Sequence, residues 1–198
     1  ANTTAAANTA VGYEALLRNT TASYNTAVGH TALAANTEGS ANTAVGRDAL
    51  EANTTGGSNT AVGYDALEAN TTASGNTAVG HSALKANTTG ASNVAVGLDA
   101  LKANTTASGN VAVGFEAGKI ISDGAANLAI GYRAYDNADN EQHNLAIGYE
   151  ALRGAVAGGE YNVAIGNYSL NVLTSADKCV AVGYQAGSAI TTGGANTL

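Results

Sequence analysis

Hydrophobic and polar positions recur along the chain in units of 17 residues. The step between successive units is 17 residues except once, where it is 18, from Asn144 to Asn162. A fixed period of this size is typical of a solenoid, in which each coil buries its face against its neighbours. We therefore predict about eleven coils in one repeat domain over residues 1–198, regular over 8–109 and more divergent over 110–198. The units start at Asn8, Asn25, Asn42, Asn59, Asn76, Asn93, Asn110, Asn127, Asn144 and Asn162, with Cys179 and Asn196 in register.

Within each unit the side chains alternate with the period of a β-strand. Ala and Gly at the third and fifth positions share one face, and Val or Ile at the fourth lies on the other. Turn-forming residues follow on both sides. The pattern predicts an all-β protein, a parallel β-solenoid, with a second short strand over segments such as 66–70. It also predicts that the Asn residues opening successive units stack, so that their side-chain amides form a hydrogen-bonded ladder.

The Val/Ile column would be a continuous apolar strip if it faced water, and such a strip normally marks an association surface. Cyclic packing of identical chains closes an interface of this kind. We therefore expect a homotrimer, although another packing of copies would also cover the strip. The predicted interface residues are Val11, Val28, Val45, Val62, Val79, Val96, Val113, Ile130, Ile147, Ile165 and Val182.

The amino-acid composition limits the kinds of core and of binding partner that the chain can have. Apolar residues reach 45% but aromatic residues only 5%, so a core must be built from small side chains. The net charge of −7 and only eight Lys and Arg residues argue against nucleic acid as a partner. No apolar run approaches the roughly 20 residues of a membrane span, so we expect no membrane insertion. Ala1 opens directly into repeat-like sequence, and we expect the chain to be a piece of a longer protein.

The residue after each Gly is often aromatic or His, which allows two interpretations. These rings could stack on one another or cap the subunit interface, or they could contact sugar rings of a receptor. The run Phe115, Tyr132 and Tyr149 is dense enough for such a contact, and the irregular turns over 135–142 and 154–161 favour residues 132–161 for it. The candidate receptor contacts are Phe115, Tyr132, Tyr135, Tyr149 and Tyr161.

Other chemistry is weakly represented. His30 and His81 could bind a metal on a trimer axis, but they lack a paired ligand in their own coil and also fit as plain surface residues. Asn-Thr-Thr repeats fit both turn formation and the N-glycosylation pattern. The sequence has no nucleophile with a local His and carboxylate and no phosphate-binding loop. We predict no enzyme activity, no cofactor and no metal site.

Three segments carry a resemblance to a known family. NLAIGYRA (127–134), NLAIGYEA (144–151) and NVAIGNYS (162–169) resemble the motif of trimeric autotransporter adhesin heads, and the longer NTAVGYxAL phrase is similar to phage tail-fibre repeats. The resemblance implies a left-handed parallel β-roll in a trimer, used as a shaft or host-binding head and often followed by an endosialidase-type intramolecular chaperone. The adhesin-head coil is shorter than 17 residues, so the extra length is expected in the Asn-Thr-Thr turn.

These observations predict a structural and adhesive function. We expect a segment of a trimeric fibre, extracellular on a virion tail fibre or a bacterial cell surface, that acts as a rigid spacer and contacts a host glycan or protein. A self-assembling extracellular filament is the alternative. An ice-binding solenoid is a third, since Thr columns form the ice face of some solenoids, although here Thr gives way to Val and Leu after Asn93.

Overall fold

The chain folds as a stack of coils with one short strand each. The computed structural model describes residues 4–137, 139–154 and 158–198. It contains a single parallel sheet of eleven three-residue strands in sequence order, so the predicted all-β solenoid is confirmed. Strands β1 to β11 are Thr9–Val11, Thr26–Val28, Thr43–Val45, Thr60–Val62, Thr77–Val79, Val94–Val96, Val111–Val113, Leu128–Ile130, Leu145–Ile147, Val163–Ile165 and Val180–Val182.

Every strand pairs with the same positions of the next strand. Ala44 of β3, for example, lies opposite Ala27 of β2 and Ala61 of β4. The 18-residue unit keeps this register, because Ala146 of β9 still pairs with Ala164 of β10. Each side chain is therefore stacked on its equivalent from the neighbouring coil.

The core is a narrow column of Ala and Leu. The middle residue of each strand from β2 onward is an Ala that is almost completely buried, as is a Leu in most coils, such as Leu33, Leu50 and Leu67. In most coils one Leu fills the interior, which explains how a chain with so few aromatic residues can exclude water. The Ala-rich, aromatic-poor composition therefore matches a core that needs only small side chains and one Leu in most coils.

The predicted second strand does not form. In its place the chain makes a tight turn in which alternate residues have left-handed backbone, as at Asp65 (φ 55°) and Leu67 (φ 52°). The N–H of Leu67 donates to the carbonyl of Ala83 at 3.0 Å, so this side is also hydrogen-bonded from coil to coil. Left-handed backbone costs a residue such as Leu about 1–2 kcal/mol, so such residues rarely adopt it. Residue preferences along this segment therefore did not indicate the turn.

Asn residues form two buried columns, and the predicted amide ladder is in the second rather than the first. In the first column, which opens each unit, the N–H of Asn59 donates to Oδ1 of Asn42 at 2.9 Å. Nδ2 of Asn59 donates to the carbonyl of Ala73 at 2.8 Å. These amides therefore bond to backbone groups instead of to each other.

The second Asn column makes the amide-to-amide ladder. Nδ2 of Asn70 donates to Oδ1 of Asn53 at 2.9 Å and to the carbonyl of Ala73 at 3.1 Å. Its members are 0–2% exposed, so the turn interpretation of Asn-Thr-Thr holds and their amides are closed to glycosylation in the folded chain. The column comprises Asn19, Asn36, Asn53, Asn70, Asn87 and Asn104.

Three divergent coils replace the Leu, and in two of them, coils seven and eight, another large side chain repacks the interior. Coil eleven has Gly187 at the Leu position. Coil seven has Gly118 at the Leu position, and Ile121, at the position of the second Asn column, packs beside it. Coil eight has Tyr135 there, fully buried, with its hydroxyl accepting from Nδ2 of Asn144 at 2.7 Å. Burial also raises the pKa of the Tyr135 phenol far above its usual value. Our prediction of Tyr135 as a receptor contact is therefore wrong, because a Tyr has taken the place of a core Leu.

The Gly that follows each strand is required by the stacking. Gly63 has φ 142°, and a Cβ on it would overlap the carbonyl group of Gly80 in the next coil. We expect Gly63→Ala to destabilise the fold by about 2–6 kcal/mol, since it adds both overpacking and backbone strain. Urea unfolding followed by circular dichroism measures this.

Gly109→Ala is the matched control. Gly109 also has positive φ (74°), but a Cβ there meets nothing within 4 Å, and Ala41 and Ser58 adopt similar φ at the same position of other coils. We expect it to cost about 1 kcal/mol. Equal losses for the two variants would contradict close stacking as the reason for the Gly column.

Candidate functional site

The predicted interface residues all lie on the outer face of the sheet and form what we call the apolar strip. The third residue of every strand points away from the buried Ala, because side chains alternate along a strand. Val45, Val62, Val79 and Ile165 are each 36% exposed, and the remaining members are exposed or half-buried. The strip therefore runs the length of the eleven-stranded sheet as an open Val/Ile surface.

A second exposed surface follows the residue after each Gly, and we call it the aromatic column. Phe115 stacks on Tyr132 with ring centroids 5.0 Å apart, and Tyr132 stacks on Tyr149 at 4.9 Å. The planes are within 9° of parallel, so both faces of Tyr132 are covered. The stacking interpretation is confirmed, and the open parts of Tyr132 are its edges rather than the face that a sugar ring would need.

The remaining candidate receptor residue lies elsewhere. Tyr161 stacks on His143 at 5.0 Å, on the turn that precedes the first Asn column. With Tyr135 in the core, the five candidates divide among three places and do not form one site. The irregular turns chosen on sequence grounds include residues 138 and 155–157, which lie outside the described residues.

The two His residues considered for metal binding belong to the aromatic column. His30 stacks on Tyr13 and His81 on Tyr64, each pair at 5.1 Å. Within the described ranges there is no group of three or more His, Cys, Asp or Glu side chains that could hold a metal ion.

Charged side chains form a continuous series that we call the ion-pair ladder. Lys119 contacts Glu116 of its own coil at 2.6 Å and Asp99 of the previous coil at 3.5 Å. Arg133 contacts Glu116 at 3.2 Å and Asp136 at 2.6 Å. Each of these cations therefore links two coils.

Coil eight reverses the order of its charges. In coils six, seven and nine an acid precedes the base by three residues, as in Glu150 and Arg153, which are 3.1 Å apart. In coil eight Arg133 precedes Asp136, so Arg153 meets Asp136 at 3.4 Å instead of another cation. The sequence showed charge columns, but this alternation could only be recognised once the register was known.

In coils three and four the charged positions hold carboxylates only, so like charges lie close together. Asp65 and Glu68 share Lys85 of the next coil at 2.7 and 3.0 Å, which raises the pKa of that amine. Glu51, one coil earlier, lies near Asp48 and Glu68. Partial burial, followed by these two carboxylates, raises its pKa.

The raised pKa predicts a pH-dependent cost at Glu51. The folded chain holds the proton of Glu51 more tightly than the unfolded chain does. Its contribution to stability is therefore present below the unfolded pKa of about 4.3 and is lost as pH rises from there through the higher folded pKa. We expect Glu51→Gln to stabilise the fold at pH 7 by less than about 1 kcal/mol and to have no effect near pH 3. Thermal unfolding at the two pH values measures this.

Glu116→Gln is the control for that experiment. Glu116 contacts Lys119 and Arg133, so the same change should lower stability at pH 7. A Glu51→Gln variant that is destabilised at pH 7 would show that the carboxylate has a favourable partner.

The fold defines the chain as a repeat protein of the parallel β-solenoid class. Comparisons with models of known protein families, with curated proteins and with solved structures found no match. A search of the described residues found no helix with the length and hydropathy to cross a membrane.

Proposed function

We propose that the chain is a rigid segment of a homotrimeric extracellular fibre, in a phage tail fibre or a bacterial surface adhesin, that spaces and helps to present a surface-binding site. The apolar strip carries this proposal. Val11 and Val182, at its two ends, are both 58% exposed, and Val or Ile occupies the same position in every coil between them.

A threefold packing would cover the strip. Large exposed apolar surfaces on soluble proteins usually mark contacts with other proteins. Three straight strips can meet along a common axis, and cyclic closure leaves no copy with an uncovered strip. The Val and Ile side chains are also suited to such an interface, since they are stiff and lose little conformational freedom on packing.

The stacked coils make the segment suitable as a spacer. Consecutive coils are joined by strand pairing, by the two Asn columns and by turn hydrogen bonds such as Ala69 N–H to Lys85 O at 3.1 Å. A stiff rod holds three copies of a weak binding site at fixed separation, and simultaneous binding then increases avidity. Host-surface glycan or protein is the expected partner.

A self-assembling extracellular filament is the alternative proposal. An open parallel strand edge can accept a strand from another copy, and end-to-end stacking of coils would then produce fibres.

The absolute mass in solution separates these functions. Light scattering coupled to size exclusion should give about 58 kDa, three times the 19.4 kDa of one chain. A broad, concentration-dependent series of larger species would favour the filament, and a stable monomer would overturn both proposals.

Val79→Glu tests whether the strip is the interface. A charge at this position would be buried between copies in the trimer, so we expect dissociation to monomers with the circular dichroism of the solenoid retained. Leu98→Glu is the matched control, because Leu98 is 43% exposed but lies in the aromatic column. A trimer that survives Val79→Glu and dissociates with Leu98→Glu would place the interface on the other surface.

A further inference from the structure

A polar cavity of about 350 Å³ opens on the ion-pair ladder between coils seven and ten. Its lining includes Lys119, Arg133, Asp136, Asn137, Arg153 and Asn171. Three of the eight Lys and Arg residues of an acidic chain are therefore gathered at one concave place. The cavity lies on a different part of the coil from the apolar strip, and its function does not depend on the trimer.

The divergent sequence of these coils accounts for the cavity. In coils two to six the sixth position after the Gly is a small Ala, such as Ala52 or Ala69. Coils seven, eight and nine have Ile120, Asn137 and Gly154 there, and Ile120 and Asn137 line the cavity. Coil ten continues the charged column with the neutral Asn171. Side chains of unequal length in successive coils leave a gap that a uniform column would fill.

The Arg side chains retain hydrogen-bond donors beside the cavity. Arg133 donates to Asp136 through Nε, and Arg153 donates to Glu150 through Nη1. Among the described residues, Nη1 and Nη2 of Arg133 and Nη2 of Arg153 make no side-chain hydrogen bond. Guanidinium N–H groups bind carboxylate oxygens strongly and with defined geometry.

Two acceptors at the same place also lack a hydrogen bond. Oδ1 of Asp136 is within 3.4 Å of Arg153 Nε but is not aligned for a hydrogen bond, although its side chain is only 5% exposed. Oδ1 of Asn171 is buried without any hydrogen-bond partner among the described residues. A buried polar atom left unpaired is costly, so each such atom calls for an explanation, and a ligand hydroxyl is one.

We propose that this cavity binds a small hydroxycarboxylate, such as the uronic acid unit of an acidic saccharide. The carboxylate accepts from the free N–H groups of Arg133 and Arg153. Ligand hydroxyls donate to Oδ1 of Asp136 and Oδ1 of Asn171. The ligand class follows from the presence of both charged donors and unpaired acceptors. Donors alone would fit any anion, and acceptors alone would fit any sugar.

Calorimetric titration of the intact chain with glucuronate tests the proposal, with acetate and glucose as the two half-ligands. We expect glucuronate to bind at least about tenfold more tightly than either, because each half-ligand satisfies one set of groups only. Acetate binding as tightly as glucuronate would overturn the hydroxycarboxylate assignment, as would no detectable binding of glucuronate.

Two variants locate the site. Arg153→Gln should weaken glucuronate binding by about tenfold or more through loss of a charged donor. Asn171→Ala should also weaken it while leaving the melting temperature unchanged or raised, since Oδ1 of Asn171 bonds to nothing in the protein. Lys85→Gln, which removes an ion-paired cation outside the cavity, should not change binding. Glucuronate affinity unchanged in Asn171→Ala and Arg153→Gln would overturn the site.

Discussion

Stacking of each residue on its own equivalent is the constraint on which the rest of the structure depends. In-register parallel pairing brings equivalent side chains to about 5 Å, as the ring separation of 4.9 Å between Tyr132 and Tyr149 shows. A residue type is therefore favourable only if it interacts well with a copy of itself. Asn satisfies this condition through its amide, aromatic rings through their faces, and Ala or Leu through packing.

Charges do not satisfy that condition, and the chain deals with them in two ways. In the early coils like carboxylates stack, and the raised pKa of Glu51 reflects its partial burial first and then this repulsion. In the later coils the reversal of Arg133 and Asp136 places opposite charges above one another. The departures from perfect repetition in coils seven to ten thus partly relieve the repulsion between like charges, and departures in the same coils create the cavity.

The features that follow from the 17-residue period could be predicted from the sequence. Those that depend on the backbone conformation of single residues could not. A 17-residue repeat with alternating Ala and Val was enough to assign the strands, their parallel register and the outward direction of the apolar strip. The segment 66–70 was predicted as a strand because nothing in a residue such as Leu67 reveals left-handed backbone. The placement of Tyr135 was wrong for a related reason, since its position in the unit matches a core Leu and only its aromatic character suggested the surface.

The candidate binding surfaces also divide into those that the repeat predicts and those that it does not. Repetition predicts continuous surfaces, and the apolar strip and the stacked aromatic column are both continuous. A discrete site in a solenoid must instead arise where repetition is broken, because identical coils present identical surfaces. Here Gly154, Asn171 and the reversed charges of coil eight break it within three successive coils. A regular spacer and a local recognition site can therefore occupy one rod without competing for the same residues.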